Sequence, residues 1–304
     1  MDGELLWNTL YRVVMQVGRF WKSPSTRRGH PDEYSLADIA LCWLWSAMVN
    51  LPLATAMRSL GKGRYRRGMR MQGFLLPPSC PHETTLRRRS QRPDFGVFLL
   101  TVNMALLTLL GPDLGTCRMD SSPLPVPYIS RDPDAAWGHH AVHGYRWHTL
   151  TSADRAILAW AVHGANVQEL TVAPTLLRQA AGWGYRCRYL SADTGYDSEP
   201  LHRETREQLG GMLVAPLNDR GGRRSMKRTP LRAQMNALWL RPRIQRAARE
   251  RAEIDRMYSV LKNHQFGLYA LPPWVRGQGA VERWLTLKVL LYHAYLLVRR
   301  HRAE

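Results

Sequence analysis

The 304-residue chain is poor in acid. It carries 24 Asp and Glu against 43 Lys and Arg, a formal net charge of +19, so its surface must attract a polyanion, and nucleic acid is the partner that such a charge implies. It is also poor in cysteine. Cys42, Cys80, Cys117 and Cys187 are widely spaced with no C-x-x-C pair, which argues against a disulfide framework and a cysteine-based zinc site and suits a reducing compartment. A basic leader is lacking too: Asp2 and Glu4 stand where a secretory signal would be positive, and no signal peptide is expected. Long apolar runs are few. The stretch 39–57 is interrupted by Asn50 and Pro52, and 95–110 falls short of the roughly 20 residues that span a bilayer. Both are read as buried helices, with no membrane partner and a cytoplasmic location. What is present is 45% hydrophobic residues, enough for a sizeable core, over a length that suits about two domains.

From Leu5 to Leu110 the apolar spacing is helical, with turn signals at 23–25, 61–63 and 77–81. Residues 1–112 are therefore expected to be an all-α region. Its basic residues form two groups: Arg58, Lys62, Arg64, Arg66, Arg67 and Arg70, then Arg87, Arg88, Arg89 and Arg92 on a short helix that Ser79 could open. A helix-turn-helix with its second helix on DNA and a plain solvated basic face account for these groups equally well. After Gly111-Pro112-Asp113 the pattern turns to β. A strand at 116–121 is stopped by prolines, and runs at 145–151 and 156–163 surround a hairpin signal. A helix at 171–182, a strand at 185–192, a helix at 198–209 and a strand at 212–215 follow. This is a mixed α/β sheet flanked by helices, in the element order of an RNase H-like core. Residues 218–243 read as an irregular basic connection whose Arg223, Arg224, Lys227 and Arg228 suit phosphate contact. A helix resumes from 244 to about 264, and after Leu271-Pro272-Pro273 a last helix covers 281–299. The expected division is thus 1–112, a core of 113–270 with its basic insertion, and a C-terminal helix in 271–304.

Because acids are scarce, the places of the few matter. Phosphoryl transfer with two divalent ions needs carboxylates converging on ions about 4 Å apart, each ion steadying one oxygen of the in-line displacement. Asp120 ends the first expected strand and Asp193 a later one. With those strands adjacent, both lie at the carboxyl edge, where ligands collect in open α/β sheets. An Asp at a strand end also serves as an ordinary turn residue. The third candidate, Asp255, lies on a helix whose buried side is marked by Ile254, Met257, Val260 and Leu261. Arg251, Asp255, Ser259 and Lys262 form its polar stripe. A carboxylate between two cations suits a metal ligand beside a phosphate, and equally a plain ion-pair face.

Three blocks resemble the DDE transposases of bacterial insertion sequences, a likeness covering about residues 35–297. Met119-Asp120-Ser121-Ser122-Pro123-Leu124-Pro125-Val126 resembles the first-aspartate block, and Ala192-Asp193-Thr194-Gly195-Tyr196-Asp197-Ser198 the second. In the third, Y-x-x-R-x-x-x-E-x-x-x-x-x-x-K, the R, E and K positions are Arg251, Asp255 and Lys262, while Ala248 replaces the Tyr. Asp255 is one methylene shorter than Glu. Glu253 is its rival, but two residues along a helix turns it roughly 200° away. The resemblance implies an RNase H-like catalytic domain binding two Mg²⁺, for which Mn²⁺ substitutes, with Asp120 bridging both ions and Asp193 and Asp255 each holding one. It implies double-stranded DNA as partner, with Arg251 and Lys262 on end-DNA phosphates, endonuclease cleavage at the element end, and attack of the freed 3′-OH on target DNA. A homodimer on DNA, at the bacterial nucleoid, belongs to the same picture.

Displacing a ligand by about 1 Å can cost on the order of 10²-fold in rate. The alternative is therefore a catalytically impaired, transposase-derived DNA-binding protein; a stand-alone nuclease would share the site without strand transfer. His139-His140-x-x-His143 lacks the helical i,i+4 spacing of a zinc protease motif and is not read as a zinc site, while His148 is a candidate for support beside Asp120.

Overall fold

The computed structural model describes residues 2–22, 33–128, 130–218 and 229–302. The chain forms two compact units, Met1–Gly111 together with Glu282–Glu304, and Pro112–Val281. Most of the last helix, Gln278–His301, therefore belongs with the N-terminal helices.

The first unit contains α1 (Gly3–Phe20), α2 (Leu36–Met48), α3 (Leu53–Gly61), α4 (Gly63–Met71), α5 (Glu83–Ser90) and α6 (Pro93–Leu110). Ser35 and Asp38 close a capping box that starts α2, and the helix is apolar on nearly all sides because it lies at the centre of the unit. Trp7 of α1 packs edge-on against Trp45 of α2 at 4.9 Å. α6 opens with Pro93 and closes at Gly111, whose φ of 55° is the left-handed cap that glycine supplies. By length and composition α6 could cross a membrane; its Phe95, Phe98, Val102 and Leu106 are buried within this unit. Lys288, fully buried, donates to the Ala47 carbonyl at 2.6 Å and to Asn50 Oδ1 at the exit of α2, and burial lowers its pKa to about 7.

Of the two arginine groups, Arg58 lies on α3, which meets α2 at 107° across the turn 49–52, Arg64, Arg66, Arg67 and Arg70 lie on α4, and Arg87, Arg88 and Arg89 lie on α5, which follows α4 after residues 72–82.

In the second unit β1 (Thr116–Pro125) is central. β3 (His143–Thr151) runs antiparallel to it, from Arg118 opposite Thr151 to Pro125 opposite Gly144, and β4 (Ile157–Gly164) completes a hairpin with β3. The short β2 (Ala136–Trp137) joins the start of β3. On the other side β5 (Tyr189–Ser191) lies parallel to β1, and β6 (Met212–Val214) parallel to β5. The order β4-β3-β1-β5-β6, with α7 (Glu169–Gly182) before β5 and α8 (Glu199–Leu209) before β6, is the RNase H-like arrangement of a mixed sheet flanked by helices.

Three local expectations change. β1 continues through Pro123 and Pro125, because past Arg118 it pairs only with β3 and tolerates missing amides as an edge does. The basic connection is irregular only in part: α9 (Pro230–Leu238) lies within it, and Met235 packs with Val214, Ile244 and Ala247. The long helix after it is divided at Arg251 into α10 (Pro242–Glu250) and α11 (Ala252–Lys262). The four cysteines are free but stand as two neighbouring pairs, Cys42 with Cys80 and Cys117 with Cys187.

Candidate active site

Past Arg118 the sheet opens, because β5 ends at Ser191 while β1 runs on. Asp120 sits on that open stretch. Its Oδ1 accepts the Ser121 amide at 2.7 Å and its Oδ2 faces Arg251 Nη1 at 3.1 Å. Burial is the strongest influence on its carboxyl, and with Asp193 and Asp255 it outweighs the Ser121 amide and Arg251, so the pKa rises to about 7. Asp193 and Asp255 are therefore each in electrostatic reach of Asp120.

Asp193 follows β5 and starts the short turn Thr194–Tyr196, its Oδ1 accepting the Gly195 amide at 2.8 Å. Asp255 is an exposed residue on α11, which is held to β1 by the buried Tyr258. The Tyr258 hydroxyl donates to the Asp120 carbonyl at 3.0 Å and shares a hydrogen bond with Thr149 Oγ1 at 2.8 Å. Arg251 stands just before the helix with about a third of its side chain exposed, and half-buried Lys262 ends it, its ammonium pKa lowered by burial. Glu253 pairs with Arg256 on α11 itself.

Sequence reasoning missed Glu169, Tyr196 and Tyr258. Glu169, at the start of α7, accepts from Ser121 Oγ at 2.6 Å and Arg146 Nη1 at 2.8 Å. An acid in the first turn of a helix that follows the hairpin was the available signal, but the expected helix began two residues later. Asp197, four residues after Asp193, is structural. Burial would raise its carboxyl, but His202, Arg232 and the Asn218 amide bring the pKa down to about 2.

The remaining expected residues lie elsewhere. Arg87 and Arg88 are exposed on α5 in the first unit, with Arg87 held by Glu83 at 2.6 Å. Arg89 is corrected: at 6% exposure it faces the interior of that unit and is no surface cation. Arg223, Arg224, Lys227 and Arg228 lie outside the described residues. His148 lies on β3 opposite Ser121, buried, with neither ring nitrogen hydrogen-bonded; burial, then His163 and Arg146, lowers its pKa to about 3 and keeps the ring neutral.

Among the described residues no three acidic, histidine or cysteine side chains are already gathered as an ion cage. The donor chemistry nonetheless suits a hard divalent cation. Carboxylates are oxygen donors, and Asp120 is a largely buried one whose charge the protein leaves under-compensated.

The RNase H-like sheet thus presents Asp120 from its central strand, Asp193 from the turn after the neighbouring parallel strand and Asp255 from a later helix. The family model described as the transposase DDE domain matches residues 114–293, more than half of the chain, and the chain belongs to that family. Among solved structures it is similar to a cryo-EM structure of a piggyBac transposase synaptic complex with hairpin DNA. That likeness has 10% sequence identity and a TM-score of 0.48, and covers 98% of this chain and 74% of the other. No curated protein matches the chain.

Proposed function

We propose that the protein is the transposase of an insertion sequence, which binds the element's ends, cleaves them and joins the freed strand to target DNA. The observation that supports this reading is the placement of Asp193 and Asp255 within electrostatic reach of Asp120 at the open stretch of β1, with Arg251 Nη1 at 3.1 Å from Asp120 Oδ2. Asp120, Asp193 and Asp255 would hold two Mg²⁺, or Mn²⁺ in their place. When bound, the ions supply a nucleophile at neutral pH and neutralise charge on the phosphodiester. Arg251, partly exposed, exchanges Asp120 for a DNA phosphate, and Lys262 acts as a point charge further along the stripe. Tyr258 fixes the strand that carries Asp120 against the helix that carries Asp255. Double-stranded DNA is the partner, with Arg87 and Arg88 contributing phosphate contacts in the first unit, and Arg223, Arg224, Lys227 and Arg228 doing so from the segment 219–228. Two ends acted on together call for a homodimer on DNA.

The test is cleavage of a duplex carrying the element's terminal repeat, with Mg²⁺ or Mn²⁺. Nicking and joined products are expected from the wild type, loss of both from Asp120→Ala, Asp193→Ala and Asp255→Ala, and activity retained by Glu253→Ala. Binding of the end with no cutting by either metal would refute the enzymatic reading in favour of a transposase-derived DNA-binding protein.

A further inference from the structure

Two groups at the open edge have no part in the three-aspartate site. Glu169 Oε1 accepts from Ser121 Oγ and Arg146 Nη1, which leaves Oε2 directed at Gly195. A side chain begun at Gly195 would meet Glu169 Oε2 at 3.2 Å and Asp193 Oδ1 at 3.0 Å, so two carboxylates from different elements flank one point that glycine leaves open. Tyr196, the next residue, is fully buried and its hydroxyl makes no hydrogen bond. Burial, together with Glu169, Asp120, Tyr258 and Asp193 around it, holds that hydroxyl protonated and so a donor. A buried hydroxyl without a partner is uncommon in a folded protein and calls for an explanation such as a water or ion that it meets.

We propose that Glu169 and Tyr196 complete the divalent-ion site, Glu169 Oε2 as a fourth carboxylate oxygen beside Asp193, and Tyr196 Oη as the group that holds a water of the hydrated ion. The inference rests on the reading of Asp120, Asp193 and Asp255 as ion ligands. Mg²⁺ dehydrates reluctantly and keeps several waters, so a site for it needs polar groups that orient those waters as well as groups that touch the ion. Arg146 and Ser121 tie down one oxygen of Glu169, which aims the other, and the Arg146 charge offsets the fourth acid.

The experiment is Mn²⁺ titration of the full chain without DNA, followed by the electron paramagnetic resonance signal of free Mn²⁺, on wild type, Tyr196→Phe, Glu169→Gln and Asp120→Asn, with circular dichroism to verify folding. Tyr196→Phe and Glu169→Gln should each weaken Mn²⁺ binding about tenfold, the lower end of the range for groups that support metal ligands, and Asp120→Asn should lose most of it. Tyr196→Phe is decisive if Glu169→Gln misfolds with Arg146 left unpaired. The hydroxyl has no partner in the fold, so a merely structural tyrosine would leave Mn²⁺ affinity unchanged. Loss of binding in Asp120→Asn with wild-type affinity in Tyr196→Phe and Glu169→Gln would overturn this inference and leave the three-aspartate site standing. Wild-type affinity in Asp120→Asn, or no binding by the wild type at millimolar Mn²⁺, would overturn both.

Discussion

Asp120→Asn should make the metal-free protein more stable while abolishing its activity. In the unfolded chain the carboxyl titrates near 3.8, and in the folded chain near 7. The folded state thus holds the proton more tightly, and ionising Asp120 destabilises the fold. Each tenfold difference in proton affinity is worth about 1.4 kcal/mol, so the cost sets in near pH 4, grows to near pH 7 and then stays at about 4 kcal/mol. Asp120 keeps 13% of its side chain exposed, and that residual hydration of the carboxylate relieves part of the burial penalty and trims the figure to about 2–4 kcal/mol. Asparagine keeps the shape and can still accept the Ser121 amide, so little packing is lost. In EDTA, urea unfolding at pH 8.5 should show the variant more stable by that amount, and at pH 4.5 by less than about 1 kcal/mol. Mg²⁺ should then raise the wild-type midpoint and leave the variant's unchanged. Equal or lower stability of Asp120→Asn at pH 8.5, or the same gain at both pH values, would refute the electrostatic account of the site.

Tyr258→Phe removes the bond to the Asp120 carbonyl and leaves Thr149 with a lost partner in the interior, so a destabilisation of about 1–3 kcal/mol is expected in denaturant titration, with reduced cleavage. Asp197→Asn leaves the Arg232 guanidinium without its charge partner in a buried setting and should cost about 3–5 kcal/mol at pH 7. The wild-type contribution of Asp197 is present above the unfolded carboxylate pKa and fades as pH falls towards about 2, which acid unfolding of the two proteins will show. Cys80, its thiol held low by the Cys42 hydrogen bond and by Arg66 at 3.2 Å, should be alkylated by iodoacetamide at pH 7 ahead of the other three cysteines, which peptide mapping reads directly. Arg87→Ala with Arg88→Ala should lower the slope of log affinity against log salt by about 2 without changing which DNA is preferred.

The position of Asp193 just after a short strand and the hairpin at 145–163 were legible because they depend on local alternation and turn chemistry, whereas Asp120, expected at a strand end, lies within β1. The features that escaped depend on partners far along the chain. Prolines end a strand only where both edges are paired, and nothing near Pro123 says that β5 stops short of it. Glu169 looks like any acid at a helix start until Ser121, 48 residues earlier, and Arg146 are folded against it. Tyr258 reads as one more buried aromatic of α11, because its bond to β1 spans 138 residues. The cysteines are silent for the same reason, since spacing along the chain carries no information about two thiols from different elements.

Asp197 and Asp120 show how a structural carboxylate differs from one left open to an ion. Both stand in a chain with nearly twice as many cations as acids, so proximity to positive charge distinguishes neither. What distinguishes Asp197 from Asp120 is whether the protein has already satisfied the charge. Asp197 accepts from a guanidinium, an imidazole and an amide, and its pKa falls; an ion arriving there would have to displace all three. Around Asp120 burial and neighbouring acids outweigh a single, partly exposed arginine, and the pKa rises. A divalent cation relieves that imbalance, and a DNA phosphate brought to the same edge is repelled by the acids until a cation stands between them. On the proposed function the site would select ion and phosphate together, with Arg251, which faces Asp120 Oδ2 at 3.1 Å, turning from the acid to the phosphate when they arrive.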